Sequence, residues 1–238
     1  MAERFFKVKR LEESRLREAL ERCHADIIFS SIFGSCRRGE EDSFSDLDIL
    51  ILCEDERDKA LLNNLSRELE RAVHRRVHLN LFTSCEAEDR IRRHDYLLAS
   101  ILDDSAFLLG DEDSFFKFRR RALSGMPDSD SIEFNKVLGK KILRRAEGYL
   151  NSPTLSRQSL LKGLMNYKVA LGYLIASMGM ERYRRILPMR RLLETELGRS
   201  LEYAVTLEKH LKRGRSINIA HVRSVLANRG ALRDLLPP

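Results

Sequence analysis

The stretch "FGSCRRGEEDSFSDLDILIL", residues 33–52, most constrains what this chain can fold into. The chain leaves one short apolar run, "DIIFSSIF" (26–33), at a Gly-Ser pair and crosses a polar loop. It then enters a second apolar run with Asp46 and Asp48 at its entrance. Runs of this length, rich in Ile, Leu and Phe, read as buried strands. If the strand spans 46–53, alternation projects Asp46 and Asp48 to one face, roughly 6.5–7 Å apart along the strand. Two carboxylates that close repel, and burying them unpaired costs several kcal/mol. A divalent cation removes the conflict, since hard ions such as Mg²⁺ take oxygen ligands from one or two carboxylates plus phosphates. Gly34 and Ser35 follow the first strand directly. A small residue there lets backbone N–H groups approach an anion, and the Ser hydroxyl adds a donor. Arg37 or Arg38 supplies a cation beside it. The pattern describes a site for a metal-bound triphosphate.

Around this stretch the first half alternates helix and strand. Leu16, Ala19, Leu20 and Cys23 predict an amphipathic helix over 10–24, and Leu62, Leu65, Leu69 and Val73 predict another over 58–75. "VHLNLF" (77–82) reads as a third strand and "AFLLG" (106–110) as a fourth, with a helix between them. From about 115 the pattern is helical: 132–151, 156–179, 181–197, 199–212 and 217–229, with a turn at 124–131 and stops at Gly198 and Gly214. The expected organisation is an α/β domain with a mixed sheet over 1–114, followed by an all-α helical bundle over 115–238.

The charge divides in the same place. Residues 1–114 carry 18 Lys and Arg against 26 Asp and Glu, and residues 115–238 carry 25 against 10. The second half is therefore the one attracted to anions such as a nucleotide or RNA. Lys140, Lys141, Arg144 and Arg145 recur at helical spacing, as do Arg184, Arg185, Arg190 and Arg191. The plain alternative for both clusters is a solvated basic face. The most apolar window, 160–178, is interrupted by Lys162, Asn166 and Lys168, which reads as a buried helix and not a membrane span. Four cysteines without metal-site spacing, and a start without signal-peptide character, place the expected setting in the cytoplasm with reduced thiols.

The quoted stretch resembles the signature of polymerase-β-type nucleotidyltransferases: Gly-Ser, a loop of about ten residues, then Asp-x-Asp. It is most similar to the minimal prokaryotic form, which Arg38-Gly39 and Ser45-Asp46-Leu47-Asp48 match residue by residue. "LLASILDDSAFLLGD" is similar to that family's later helix and closing strand, so the resemblance covers about 10–112. It implies transfer of an NMP from an NTP, ATP foremost, to an acceptor such as a protein hydroxyl, RNA or small molecule, with release of pyrophosphate. Asp46 and Asp48 would hold Mg²⁺ or Mn²⁺, and Gly34, Ser35, Arg38 and Ser45 would bind the nucleotide. The helical half would recruit an RNA or protein acceptor.

The chain departs from the family at one position. Where a third carboxylate is expected on the strand "RRVHLNLF", the sequence has His78, with Asn80 on the same face by period two. Three readings stand: His78 as general base, suited by an unperturbed pKa near 6.5; Asn80 as a neutral ligand; or a module that binds nucleotide or RNA without turnover. Glu86, Glu88, Asp103 and Asp104 are other acidic residues nearby, read as solvated loop charges. Finally, "RSINIAH" places Arg215 and His221 six apart, which resembles the Arg…His motif of HEPN-type RNases, with Ser216 where Asn or Asp is usual.

Overall fold

Two apolar runs pair antiparallel at the centre of a four-stranded sheet of order β3-β2-β1-β4. A computed structural model describes residues 10–23, 26–40, 45–151, 156–195 and 198–212. The strands are β1 (Ile27–Phe33), β2 (Leu47–Cys53), β3 (Val77–Thr83) and β4 (Ala106–Gly110). β1 runs antiparallel to β2 and to β4, while β2 and β3 are parallel, so the sheet is mixed. The parallel step needs a crossover, which α3 (Glu56–Val73) provides.

Helical spacing decides what covers one face of this sheet. α1 (Arg10–Glu21) presents Leu16, Ala19 and Leu20, and α3 presents Leu65, Leu69 and Val73. These close over Ile32, Leu47, Ile49, Ile51, Val77 and Leu108 in one apolar core. On the other face Phe29 meets Phe115 and Phe118 edge-on, with centroids 5.5 and 5.8 Å apart. Those two belong to α6 (Glu112–Leu123), which therefore packs on the sheet. The described residues fall into two compact units that separate between Ser124 and Gly125, after α6.

Between β1 and β2 the chain forms a short helix, α2 (Gly34–Arg38), before the polar loop. Between β3 and β4 it forms two helices, α4 (Ser84–Arg92) and α5 (Tyr96–Asp103), where the sequence suggests one. The break has a local cause: His94 takes a positive φ of 51°, and Asp95 caps the new helix by accepting the Leu98 N–H at 2.8 Å.

In the second unit α7 (Ser129–Leu150) and α8 (Arg157–Tyr183) pack along each other. Small residues permit the close approach, since a Cβ at Gly139 would lie 2.9 Å from Leu174 and one at Gly163 2.7 Å from Leu150. α10 (Arg199–Lys212) lies on α8 and brings Glu208 within 2.5 Å of Lys168. The helix expected over 181–197 is not formed as one piece. α8 runs on to Tyr183, Arg184 turns left-handed, and only α9 (Met189–Leu193) follows. Pro188 lacks an N–H and disfavours helix at the residue before it, which fixes that interruption. Gly198 stands directly ahead of α10, and the expected helix at 217–229, with Gly214, Arg215 and His221, lies outside the described residues. Among the described residues no helix is long and apolar enough to cross a membrane.

The aromatic contact yields a direct check. Phe29→Ala should destabilise the first unit by about 3 kcal/mol through cavity formation, whereas Phe116→Ala, with Phe116 45% exposed, should change little. Equal losses in denaturant titrations of the two variants would contradict this packing.

Candidate active site

β1 ends at the edge of the sheet where the other three strands begin. Its last residue, Phe33, pairs with Asp48, and Asp48 pairs in turn with His78 of β3. Ile32 pairs with Ala106, the first residue of β4, which brings Asp104 to the same edge. Gly34, Asp48, His78 and Asp104 come from four separate segments, and strand register alone assembles them.

Gly34 is required there for two reasons. Its φ is +79°, a left-handed conformation that side chains with a Cβ rarely adopt. A Cβ would also lie 2.5 Å from Oδ2 of Asp48, so the bend rests directly against that carboxylate. The other oxygen of Asp48, Oδ1, lies 3.2 Å from Nδ1 of His78. The tautomer with its hydrogen on Nδ1 would donate to this oxygen and keep the lone pair on Nε2. Asn80 pairs with Leu50, two residues deeper along the same ladder.

Asp46 stands immediately before β2, and Ser45 precedes it, both half-buried. The position of Asp46 is tied to α2 through its carbonyl, which accepts from the buried Cys36 thiol at 3.3 Å. Arg75 in turn donates to Cys36 Sγ at 3.1 Å. Nothing in a lone Cys codon announces this tie, because it depends on α2 folding back over the start of β2.

Asp104 is the residue whose setting differs most from the sequence expectation. Only 18% of its side chain is exposed, and it accepts the Gly34 N–H at 3.0 Å and a hydrogen bond from Arg38. The Arg37 guanidinium lies 3.8 Å away. Burial pushes the Asp104 carboxyl above its ordinary value, against the opposing charge of Arg38, the Gly34 hydrogen bond and Arg37. The anion that Gly34 holds is therefore a carboxylate of this chain. The other acidic residues stand on helices and not in loops. Glu86 closes a capping box with Thr83 at the start of α4. Glu88 makes a two-pronged pair with Arg121 at 2.5 Å, which holds its carboxyl below the usual range. Asp103 is the last residue of α5, and its carbonyl accepts from Arg119 at 3.0 Å.

The candidate donors for a divalent cation are the two carboxylates that the sequence singles out, Asp46 and Asp48, and among the described residues no group of three His, Cys, Asp or Glu gathers around one point. That fits a hard ion that completes its shell with phosphate and water oxygens. The basic residues Lys141, Arg144, Arg145, Arg184, Arg185, Arg190 and Arg191 of the second unit are all exposed.

Seventeen chains of solved structures resemble this one. A tri-AMPylated Shewanella oneidensis HEPN toxin in complex with MNT antitoxin gives 18% identity over 58% of this chain and 95% of that one, with a TM-score of 0.35. The spectinomycin adenyltransferase AAD(9) of Enterococcus faecialis, with ATP and spectinomycin, gives 14% over 91% and 96%, with 0.43. A nucleotidyltransferase-like protein from Exiguobacterium sibiricum gives 11% over 87% and 75%, with 0.38. These likenesses are loose. No curated protein gives a significant match.

The contact at Gly34 can be tested by a pair of changes. Gly34→Ala should lower stability by about 1–3 kcal/mol, from the left-handed backbone and the clash. Adding Asp48→Ala, which removes the atoms the new methyl meets, should recover part of that loss in thermal melts. Strictly additive losses would contradict the contact.

The model of the family described as polymerase beta, nucleotidyltransferase, matches residues 15–100. That span begins in α1, ends in α5 and contains Gly34, Asp46, Asp48 and His78, so it is over residues 15–100 that this chain matches the nucleotidyltransferase domain.

Proposed function

We propose that the chain is a nucleotidyltransferase that moves an NMP from an NTP, with ATP as the first candidate, onto an acceptor hydroxyl and releases pyrophosphate. The observation that carries this reading is the Gly34 bend resting on Asp48, with His78 on the other oxygen of the same carboxylate. In the reaction the acceptor oxygen forms a bond to the α-phosphorus, and the bond from that phosphorus to the bridging oxygen of the leaving pyrophosphate breaks. A Mg²⁺ or Mn²⁺ ion held by Asp46 and Asp48 would neutralise charge on the reacting phosphate and the leaving group. Ser35, Ser45 and Arg38 would orient the polyphosphate, and Nε2 of His78 would take the acceptor's proton. Asp48 then has two tasks, orienting the imidazole with Oδ1 and offering its remaining lone pairs to the cation.

A second reading has its own support. The strand position of the usual third carboxylate carries His78, and Gly34 N–H and Arg38 are engaged by Asp104. A domain of this kind could hold nucleotide without turnover. The two readings separate by experiment. Asp46→Asn and Asp48→Asn should each lower pyrophosphate release by at least about 10²-fold, and His78→Ala by about 10–10²-fold. Transfer that persists in both aspartate variants would reject this site, and nucleotide binding without transfer across an acceptor screen would favour the second reading.

The exposed basic residues of the second unit support an anionic acceptor, RNA foremost, with a protein hydroxyl as the other class. If RNA binds there, Arg190→Glu with Arg191→Glu should weaken it and flatten its dependence on salt by about one unit of log–log slope per lost phosphate contact. An unchanged slope would remove this face from the acceptor site. None of the four cysteines is joined in a disulfide, which suits the reducing cytoplasm as the setting we propose.

A further inference from the structure

We infer that Asp104 is a positioning residue for the polyphosphate site, acting through Gly34 and Arg38. The inference rests on the nucleotide reading of the site and names a residue that reading does not use.

The side chain springs from a rigid base. α5 is buried at Tyr96, Leu98, Ala99, Ile101 and Leu102. The Asp104 N–H donates to the Ser100 carbonyl at 3.3 Å. The next residue, Ser105, is buried; its hydroxyl donates to the Ile101 carbonyl at 2.7 Å and receives the Ser31 hydroxyl of β1 at 3.2 Å. From that base one carboxylate reaches the turn between β1 and α2. It accepts the Gly34 N–H and an Arg38 N–H, and Arg37 faces its other oxygen. Each of these contacts falls on the Gly-Ser-x-Arg-Arg segment.

Arg38 shows what such an anchor does. Its Nε donates to Glu40 at 3.0 Å, and one N–H of its fork goes to Asp104. A guanidinium has five N–H donors in a fixed plane, so two carboxylates pin the plane and three donors remain for an anion. A pinned guanidinium loses less freedom when it binds phosphate than one on an untethered side chain. The Gly34 bond similarly fixes a left-handed turn one residue ahead of Ser35.

Fold stability alone does not explain the carboxylate. A group held mostly out of water, with its carboxyl shifted toward the neutral form, is a poor stabiliser when ionised. Asn at 104 keeps the shape and an acceptor for Gly34 while removing the charge that holds Arg38. A purely structural role and a positioning role thus predict different results for one substitution.

The test compares wild type, Asp104→Asn, Arg38→Ala and the double variant, as full-length chains, by calorimetric titration with Mn²⁺ and ATP and by thermal melting. Asp104→Asn should melt at or above the wild-type temperature and bind the nucleotide about tenfold more weakly. In the Arg38→Ala background the same change should cost little further affinity. Unchanged or tighter binding by Asp104→Asn overturns the inference, as does a loss that simply adds to that of Arg38→Ala. An affinity loss with Arg38 present that is matched by a large fall in melting temperature also overturns it. A wild-type chain that binds no nucleotide, or binds it equally well after Asp48→Asn, overturns the nucleotide reading itself, and this inference with it.

Discussion

The missing Cβ at Gly34 is the constraint on which the site depends. β1 and β2 are the central strands, and their antiparallel register sets the end of one beside the start of the other. Any side chain at the bend would collide with Asp48, and any right-handed conformation would redirect α2. With glycine there, a backbone turn, a carboxylate and an imidazole share a few ångströms at one sheet edge. The apolar remainder of β2, which shares one buried core with α1 and α3, keeps that edge from shifting. Rigid strands below and short, hydrogen-bonded segments above are the arrangement that holds reacting groups in place.

Charge is distributed around this edge so that each acidic group has a distinct neighbour. Asp48 faces the bend and His78, while Asp104 faces the Gly34 N–H and two arginines. Asp48 meets the side of Gly34 where a Cβ would stand, and Asp104 meets its N–H. The imidazole at 78 brings no negative charge of its own to this edge.

Much of this was legible in residues alone, because it depends on local pattern. Strand identity, the α1 and α3 faces, and the pairing of the Gly-Ser turn with Asp-x-Asp follow from periodicity and from the incompatibility of paired carboxylates with an apolar strand. His78 was singled out only through the family resemblance, as the residue standing where a third carboxylate is expected, and the parallel β2–β3 register sets it beside Asp48. Asp104 was not legible in its role. It was visible as one acid among several, and only the β1–β4 register, a non-local fact, brings it to Gly34. The same limit applies to α6, whose basic, helical pattern suggested the second half, although Phe115 and Phe118 place it on the sheet. The interrupted helix after α8 was signalled by Pro188, and periodicity in an Arg- and Leu-rich stretch masked it.

The central claim is that a metal-bound nucleotide sits between the Gly34 bend and the Asp46–Asp48 pair, beside His78. Paramagnetic broadening of the imidazole proton resonances tests it most directly, with His78 assigned by its loss in His78→Ala. With Mn²⁺ and a non-hydrolysable ATP analogue, the His78 lines should broaden selectively, and Asp48→Asn should abolish the effect. Broadening of other histidines with His78 left sharp, while the nucleotide is bound, would place the ion elsewhere and contradict this account.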